Sequence, residues 1–268
     1  MSNVKTIVAI NMLCASLQLQ AAPLGYVMTE NWNFGAEELN DQTELRNHFY
    51  TRYIYNNGTL DKLNDEWQRY RDNNNHVFTS TSLKLVARVV SGLYDGGIES
   101  GMLRSKWTGK YGYFEARVKV PRGAGMWPAF WLISQDQKWP PEIDIMEVVN
   151  NCTDTTMNSF HYVHGTPSPI VNYKNANSRG AYTPGFDYAT GFHIFAMEWT
   201  DSFVKHYVDG KRIYDRTWEW LHNDGADGGP AHILINLAVG GFWPGPPHSV
   251  TQFPASFEID YIRVWKKL

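Results

Sequence analysis

Short segments in which apolar and polar residues alternate recur along the chain, and turn-forming residues separate them. Such segments cover 82–90, 111–120, 192–200, 203–210 and 257–265. Turn motifs between strand-like segments include NNGT at 56, SGLYDGG at 91, PRGAG at 121, VDGKR at 208 and NDGADGGP at 223. Alternation with a period of two is typical of a strand with one buried face. Many short strands with regular turns predict an antiparallel sandwich or barrel.

The remaining segments show little periodicity. Two long polar stretches, 36–75 and 165–191, are rich in glycine or asparagine, and we expect them to form loops over one face of the sheets. The stretch TWEWLHND, at 217–224, predicts a helix of one or two turns. Nothing in 23–268 resembles a linker or an internal repeat, so this region is interpreted as a single domain.

The first 22 residues differ in character from the rest. They carry one lysine, Lys5, before an apolar stretch from 7 to 17, and small residues follow. This order is typical of a secretory signal peptide, so we expect a secreted or periplasmic protein. An ordinary N-terminal strand or a disordered arm is the alternative. Removal of a leader would leave Cys152 without Cys14, which argues against a disulfide framework or a cysteine metal site.

Composition narrows the classes of function. The net charge is −3, so no electrostatic argument favours nucleic acid or an anionic membrane as a partner. No segment outside the leader has the length of a membrane span. Aromatic residues make up 15% of the chain, with 11 Trp, 15 Tyr and 13 Phe. They fit a β-rich core, and they also fit a binding groove lined by flat rings.

Three carboxylates lie within six residues, in the stretch EIDIME at 142–147. On a regular strand Glu142 and Asp144 share one face, whereas Glu147 turns into the apolar layer. A bulge at Ile145–Met146, with Met146 as the extra residue, would return Glu147 to the face of the other two acids. The alternative places Glu147 on the opposite face in a salt bridge. Three clustered acids on an apolar strand favour carboxylate catalysis over a calcium loop.

Together with GMWPAFWL, the acidic motif resembles glycoside hydrolase family 16, the laminarinase and lichenase family. Further stretches that resemble this family are KYGYFEARVKVPRGAGMWPAFWL, FHIFAMEWTDSFVKHYVDG, ILINLAVGGFWPGPP and FPASFEIDYIRVWKK, and the likeness covers roughly 60–268. The resemblance implies an all-β fold, a β-jelly-roll sandwich of two antiparallel sheets with a concave substrate cleft. It also implies a retaining endo-hydrolase with Glu142 as nucleophile and Glu147 as general acid/base. Asp144 would hydrogen-bond the nucleophile.

The resemblance also implies residues that bind the sugar. They are Asn64, Glu66, Trp127, Trp131, His161, Asn236 and Trp243. Trp131 is expected to be a stacking platform, with core packing the main alternative for Trp127. His161 is expected beside the acid/base or, equally, as a structural residue. The chain departs from the family pattern at Asp65, at Trp67 and at Pro140-Pro141, where we expect a short rigid approach to Glu142 with Trp139 at its entrance.

The resemblance implies no required cofactor and permits a structural calcium at Asp260, away from the cleft. We expect a monomer that acts on a polysaccharide, with β-1,3 or mixed-linkage β-1,3-1,4 glucan as substrate. An agarase or galactan-type hydrolase of the same family is the nearest alternative. A non-catalytic, lectin-like glucan-binding module is the alternative from another class.

Overall fold

The computed structural model describes residues 23–35, 39–150, 152–163, 175–217 and 219–268. The predicted leader, 1–22, lies outside the described residues. In the described part of the chain, no helix has the length and apolarity needed to cross a membrane.

Strands dominate the described residues. They are β1 (Tyr26–Asn33), β2 (Phe49–Tyr50), β3 (Gln68–Tyr70), β4 (His76–Phe78), β5 (Leu83–Val89), β6 (Ile98–Ser100), β7 (Met102–Gly109), β8 (Gly112–Lys119), β9 (Met126–Ser134), β10 (Glu142–Glu147), β11 (Thr156–Val163), β12 (Asn175–Tyr182), β13 (His193–Trp199), β14 (Phe203–Val208), β15 (Lys211–Thr217), β16 (Ala231–Val239) and β17 (Ala255–Lys267). All five segments predicted from alternation contain a strand, namely β5, β8, β13, β14 and β17.

These strands form two sheets. The ten-stranded sheet runs β15-β14-β13-β8-β17-β5-β6-β3, with β1 beside β17 and β4 beside β5. The seven-stranded sheet runs β12-β11-β10-β9-β16-β7-β2. Pairing is antiparallel except between β3 and β6. The predicted sandwich of two antiparallel sheets is therefore confirmed.

The main core lies between the sheets. From the seven-stranded sheet, Phe130 and Leu132 of β9 join it, and Phe114 and Phe257 join it from the ten-stranded sheet. All four side chains are fully buried, as the period of two requires for strands with one face inward. The intervening side chains of β9 face the other side of the seven-stranded sheet, which carries the cleft.

Segment 36–75 contains more order than its sequence predicts. Helix α1 (Gln42–His48) is capped by Asp41, whose carboxylate accepts hydrogen bonds from the backbone N–H groups of Thr43 (2.7 Å) and Glu44 (2.9 Å). A short helical turn, α2 (Tyr55–Gly58), follows. Leu45 is the one buried residue of α1, so the helix lacks the apolar repeat by which helices are recognised.

The helix predicted at 217–224 is wrong for its described part. Residues 219–224 are irregular apart from an isolated bridge between Leu221 and Asp227. The Trp220 indole donates to the carbonyl oxygen of Gly229 at 2.7 Å, and its ring lies in the main core. Tertiary contacts of this one aromatic side chain therefore decide the local conformation.

Candidate active site

A bulge interrupts β10 after the second acid. Asp144 lies opposite Trp131 of β9 and Met146 lies opposite Phe130, so the register shifts by one residue at Ile145. The register with β11 shifts across the same interval. The bulge predicted at Ile145–Met146 is confirmed, but its extra residue against β9 is Ile145 rather than Met146.

The bulge brings the three acids to one side of the sheet. Ile145 and Met146 are both buried in the main core, which places two consecutive side chains inward. Glu147 consequently faces the cleft with Glu142 and Asp144. One cavity is lined by Tyr53, Leu63, Asn64, Glu66, Trp127, Ala129, Trp131, Glu142, Asp144, Glu147 and Asn236. The alternative with Glu147 on the opposite face is wrong.

Each glutamate accepts a hydrogen bond from an indole. The Trp127 Nε1–H donates to Oε1 of Glu147 at 3.0 Å, and the Trp139 Nε1–H donates to Oε2 of Glu142, also at 3.0 Å. Glu147 and Asp144 are buried, whereas Glu142 is half-buried. Hydrogen bonds from N–H donors to carboxylates restrict the orientation of the acid.

Trp131 and Asn236 form part of the cavity floor. Trp131 is only 6% exposed, and its Nε1–H donates to Oδ1 of Asn236 at 2.7 Å. The Asn236 amide nitrogen in turn donates to the hydroxyl of Tyr70 at 2.9 Å. This buried chain of hydrogen bonds holds the indole rigidly beside the acids, with little of its ring open to stacking.

Glu66 is a buried carboxyl in the wall of the cavity. Its Oε2 accepts hydrogen bonds from Gln68 Nε2 (2.6 Å) and from the backbone N–H of Leu63 (3.2 Å). Burial raises the pKa of Glu66 to about 7, against the opposing effect of these donors. Asn64, which also lines the cavity, has a left-handed backbone (φ 48°).

The two departures from the family pattern beside Asn64 organise the loop 240–243. Oδ2 of Asp65 accepts a hydrogen bond from the backbone N–H of Phe242 at 2.5 Å. Trp67 packs so closely on Gly240 that an added Cβ would lie 2.6 Å from its ring. This loop carries Trp243, whose ring lies 5.0 Å from that of Trp127 at 83°. Trp243 thus buttresses the donor to Glu147.

His161 has a defined place in the backbone register. It lies directly opposite Glu142 on β11, whereas Met157 lies opposite Glu147. The expected place beside the acid/base is therefore wrong, because the register puts this residue next to the nucleophile. The side chain of His161 is outside the described residues.

Tyr53 is a cavity residue that sequence reasoning missed. It belongs to the segment 36–75, predicted as loop, and it is buried with its ring 6.1 Å from Trp131. Only packing of this segment on the sheet brings Tyr53 to the acids. No local pattern in the sequence marks it.

Asp260 lies in β17 and faces Arg117 of β8, whose guanidinium donates to its carboxylate. Among the described residues, no group of three or more His, Cys, Asp or Glu side chains is arranged so that it could hold a metal ion. The arginine already neutralises Asp260, so the described side chains do not form a carboxylate cage for calcium. Calcium binding stays a prediction and enters no step below.

Residues 61–263 match Glycosyl hydrolases family 16. The beta-glucanase of Rhodothermus marinus is 35% identical over 180 residues, which cover 61% of this chain and 59% of that relative. The chain therefore spans less than two thirds of that relative's length.

Solved structures give the same result over more of the chain. The laminarinase catalytic domain from Thermotoga maritima MSB8 is 30% identical, with a TM-score of 0.72 over 91% of this chain and 99% of that one. The endo-1,3-beta-glucanase (laminarinase) catalytic domain from Thermotoga petrophila RKU-1 is also 30% identical, with a TM-score of 0.72 over 90% and 98%. With its jelly-roll sandwich and its bulged acidic strand, this chain belongs to glycosyl hydrolases family 16.

Proposed function

We propose that this chain is a retaining endo-hydrolase of β-1,3 and mixed-linkage β-1,3-1,4 glucans. The observation that carries the proposal is the bulge in β10, which brings Glu142, Asp144 and Glu147 into one cavity. Three acids gathered in one cleft disfavour one another's ionised forms. Such an arrangement is typical of catalytic sites. Most glycoside hydrolases act through a pair of Asp or Glu residues that flank the scissile bond.

The proposed reaction is a double displacement. Glu142 attacks the anomeric carbon, and the bond from that carbon to the leaving glycosidic oxygen breaks as Glu147 donates a proton to this oxygen. A water molecule then attacks the anomeric carbon, Glu147 accepts its proton, and Glu142 leaves as a carboxylate. Two inversions give net retention of configuration.

The cavity lining supports a neutral polysaccharide. The described residues of this lining comprise four acids together with aromatic, amide and apolar side chains, and none of them is lysine or arginine. A sulfated or otherwise anionic glycan would meet like charge from these four acids. The similarity to two laminarinase catalytic domains, one of them from an endo-1,3-beta-glucanase, supports β-1,3 linkages, and the similarity to a beta-glucanase supports a β-glucan as the substrate class.

The test measures new reducing ends and their anomeric form. We expect laminarin, lichenan and barley β-glucan to be cleaved within the chain, with the β-anomer formed first as seen by proton NMR. Glu142→Gln is expected to abolish cleavage, and Glu147→Gln to lower it by about a hundredfold or more. Glu219→Gln, a change at an exposed carboxylate outside the cavity, should have no effect.

Azide separates the two roles. With Glu147→Ala, azide should intercept the glycosyl-enzyme and yield a β-glycosyl azide. With Glu142→Ala, azide should replace the missing nucleophile and yield the α-product. Cleavage of agarose alone would contradict β-glucan as the proposed substrate. Glucan binding without new reducing ends would favour the lectin-like alternative.

A further inference from the structure

One residue in direct contact with the proposed nucleophile lies on a loop rather than on a strand. Trp139 lies in the segment 135–141, which we term the entrance loop, between β9 and β10. Its Nε1–H donates to Oε2 of Glu142 at 3.0 Å, and the residue is 38% exposed. A partly exposed tryptophan therefore stands at the cleft with its polar atom turned to the nucleophile.

The entrance loop is anchored from outside the strands. Pro140 and Pro141 have no N–H to donate, so other groups must hold this backbone. His222, which is buried, provides the anchor: its Nδ1 lies 2.9 Å from the carbonyl oxygen of Pro140, and its Nε2 lies 2.9 Å from Oδ2 of Asp136. A single imidazole thus bridges both ends of the loop that presents Trp139.

Hydrogen bonds to Asp136 from neighbouring residues also stabilise the entrance loop. The Asp136 carboxylate accepts hydrogen bonds from the Ser134 hydroxyl at 2.8 Å and from the backbone N–H of Lys138 at 3.1 Å. Pro141 packs against Gly228, where an added Cβ would lie 2.6 Å from the proline ring. The position of the Trp139 indole is therefore built by residues on several sides, and it is not left to the conformation of one side chain.

Trp127 provides a comparison within the same site. It donates to Glu147 from β9, a strand in the centre of the seven-stranded sheet, and its ring packs against Trp243. Trp139 makes the equivalent contact with Glu142 from a loop. The acid/base is thus oriented by the sheet, and the nucleophile is oriented by the entrance loop.

We propose that Trp139 is a positioning residue for the nucleophile: its indole N–H holds Oε2 of Glu142 so that Oε1 attacks the anomeric carbon. This inference rests on the proposed function. In the covalent intermediate Oε2 is the ester carbonyl oxygen, which still accepts the indole N–H. When water attacks and Glu142 leaves, negative charge returns to the carboxylate, and the same donor stabilises it. Trp139 consequently serves both displacements.

The discriminating substitution is Trp139→Phe, which keeps an aromatic ring and removes the N–H. We expect kcat on laminarin to fall about ten- to a hundredfold, the size expected for loss of one hydrogen bond to a charged group, with KM within about twofold. Trapping by a 2-deoxy-2-fluoro glucosyl fluoride should slow by a similar factor. Trp107→Phe is the matched control, because Trp107 is a partly buried indole that packs against the main core.

Two results would overturn the proposal. One is a Trp139→Phe variant with wild-type kcat and trapping rate, while Trp139→Ala raises KM, since the ring would then serve only as a sugar contact. The other is a Trp139 Nε1–H resonance that does not move in Glu142→Ala. The ¹⁵N–¹H spectrum of the indoles measures it, and this spectrum does not depend on catalysis. We expect the Nε1–H resonance of Trp139 to move in Glu142→Ala, where the acceptor is gone, and to stay in Glu219→Gln.

The spectrum also separates this inference from the proposed function. If the wild-type protein cleaves no glucan but the Trp139 resonance moves in Glu142→Ala, the hydrolase proposal fails and the positioning contact stands. If the protein cleaves glucan and the resonance does not move, the positioning proposal fails alone.

Discussion

At the scale of single residues, Glu66 shows how burial changes the chemistry of an acid beside the cleft. The residue is 3% exposed and accepts two hydrogen bonds through one oxygen. Its pKa is raised to about 7, mainly by burial. The native state therefore binds a proton between pH 4.5 and 7 that the unfolded chain releases.

Glu66→Gln should remove this titration. Because the folded pKa lies above the unfolded value, wild-type stability should fall as pH rises from about 4.5 to 7, by roughly 3 kcal/mol at most. The free energy of unfolding of Glu66→Gln, relative to that of the wild type, should therefore rise as pH rises across this range. Urea unfolding at pH 4.5 and pH 8 measures the difference, with the exposed Glu219→Gln as control. An equal pH dependence of Glu66→Gln and wild type would contradict the buried titration.

Single residues also mark the limit of local reasoning about the site. Glu142, Asp144 and Glu147 could be recognised because their spacing conflicts with a regular strand. Tyr53 could not be recognised, since nothing local distinguishes it from other tyrosines. The contact of Trp139 with the nucleophile likewise depends on His222, 83 positions further along the chain, whose ring holds the carbonyl of Pro140.

At the scale of elements, β10 is the decisive strand. Its extra residue makes Ile145 and Met146 both point into the main core, where they are buried. Whether Glu147 faces the cleft or the core depends on the number of residues between it and Asp144 and on the bulge among them. Insertion or deletion of one residue changes that number.

Two changes of length test this. Insertion of one alanine after Ile145 gives an even spacing that needs no bulge, so Glu147 should stay on the cleft face but lie about 7 Å further along the strand from Glu142. Hydrolysis should then be abolished, because the two carboxyls could no longer act on one glycosidic bond. Deletion of Ile145 restores regular alternation with all three acids on one face, so measurable hydrolysis should survive despite lost core packing. Laminarin hydrolysis and thermal unfolding measure both effects. An active insertion variant beside an inactive deletion variant would contradict this account of how the spacing along β10 positions the acids.

Elements with strict alternation could be predicted, and those without it could not. The segments around β5, β8, β13, β14 and β17 each bury one face, so their period of two is visible in the sequence. Helix α1 buries only Leu45 and shows no period. The stretch at 217–224 has helix-like spacing, but Trp220 is held by the core and by Gly229.

At the scale of the whole molecule, two buried titratable residues, Glu66 and His206, change the stability of the fold in opposite directions as pH changes. His206 of β14 is fully buried, and burial lowers its pKa to about 3, partly offset by a hydrogen bond with the backbone of Asp144. The unfolded chain therefore binds a proton between pH 6.5 and 3 that the native state excludes. Stability from His206 falls as pH falls, whereas stability from Glu66 rises as pH falls from 7 to 4.5.

His206→Phe should flatten the acid side of the stability profile. The wild type is expected to lose up to about 5 kcal/mol from this residue between pH 7 and pH 3, and the variant should lose less over the same range. Comparison of pH values within each variant cancels any constant packing effect. Urea unfolding at pH 7, 5 and 4 measures the slope, with the exposed His248→Gln as control. Identical slopes for His206→Phe and wild type would contradict this account.

The sequence alone determined the all-β class, the strand segments, the acidic triplet and the need for a bulge, because a period of two and a break in that period are local properties. Only the tertiary structure decided that Ile145 is the extra residue of the bulge against β9, that Tyr53 reaches the cavity and that Trp139 holds Glu142. These depend on contacts between segments distant in sequence. Such contacts arise when sheets and loops pack together, and no short window of residues encodes them.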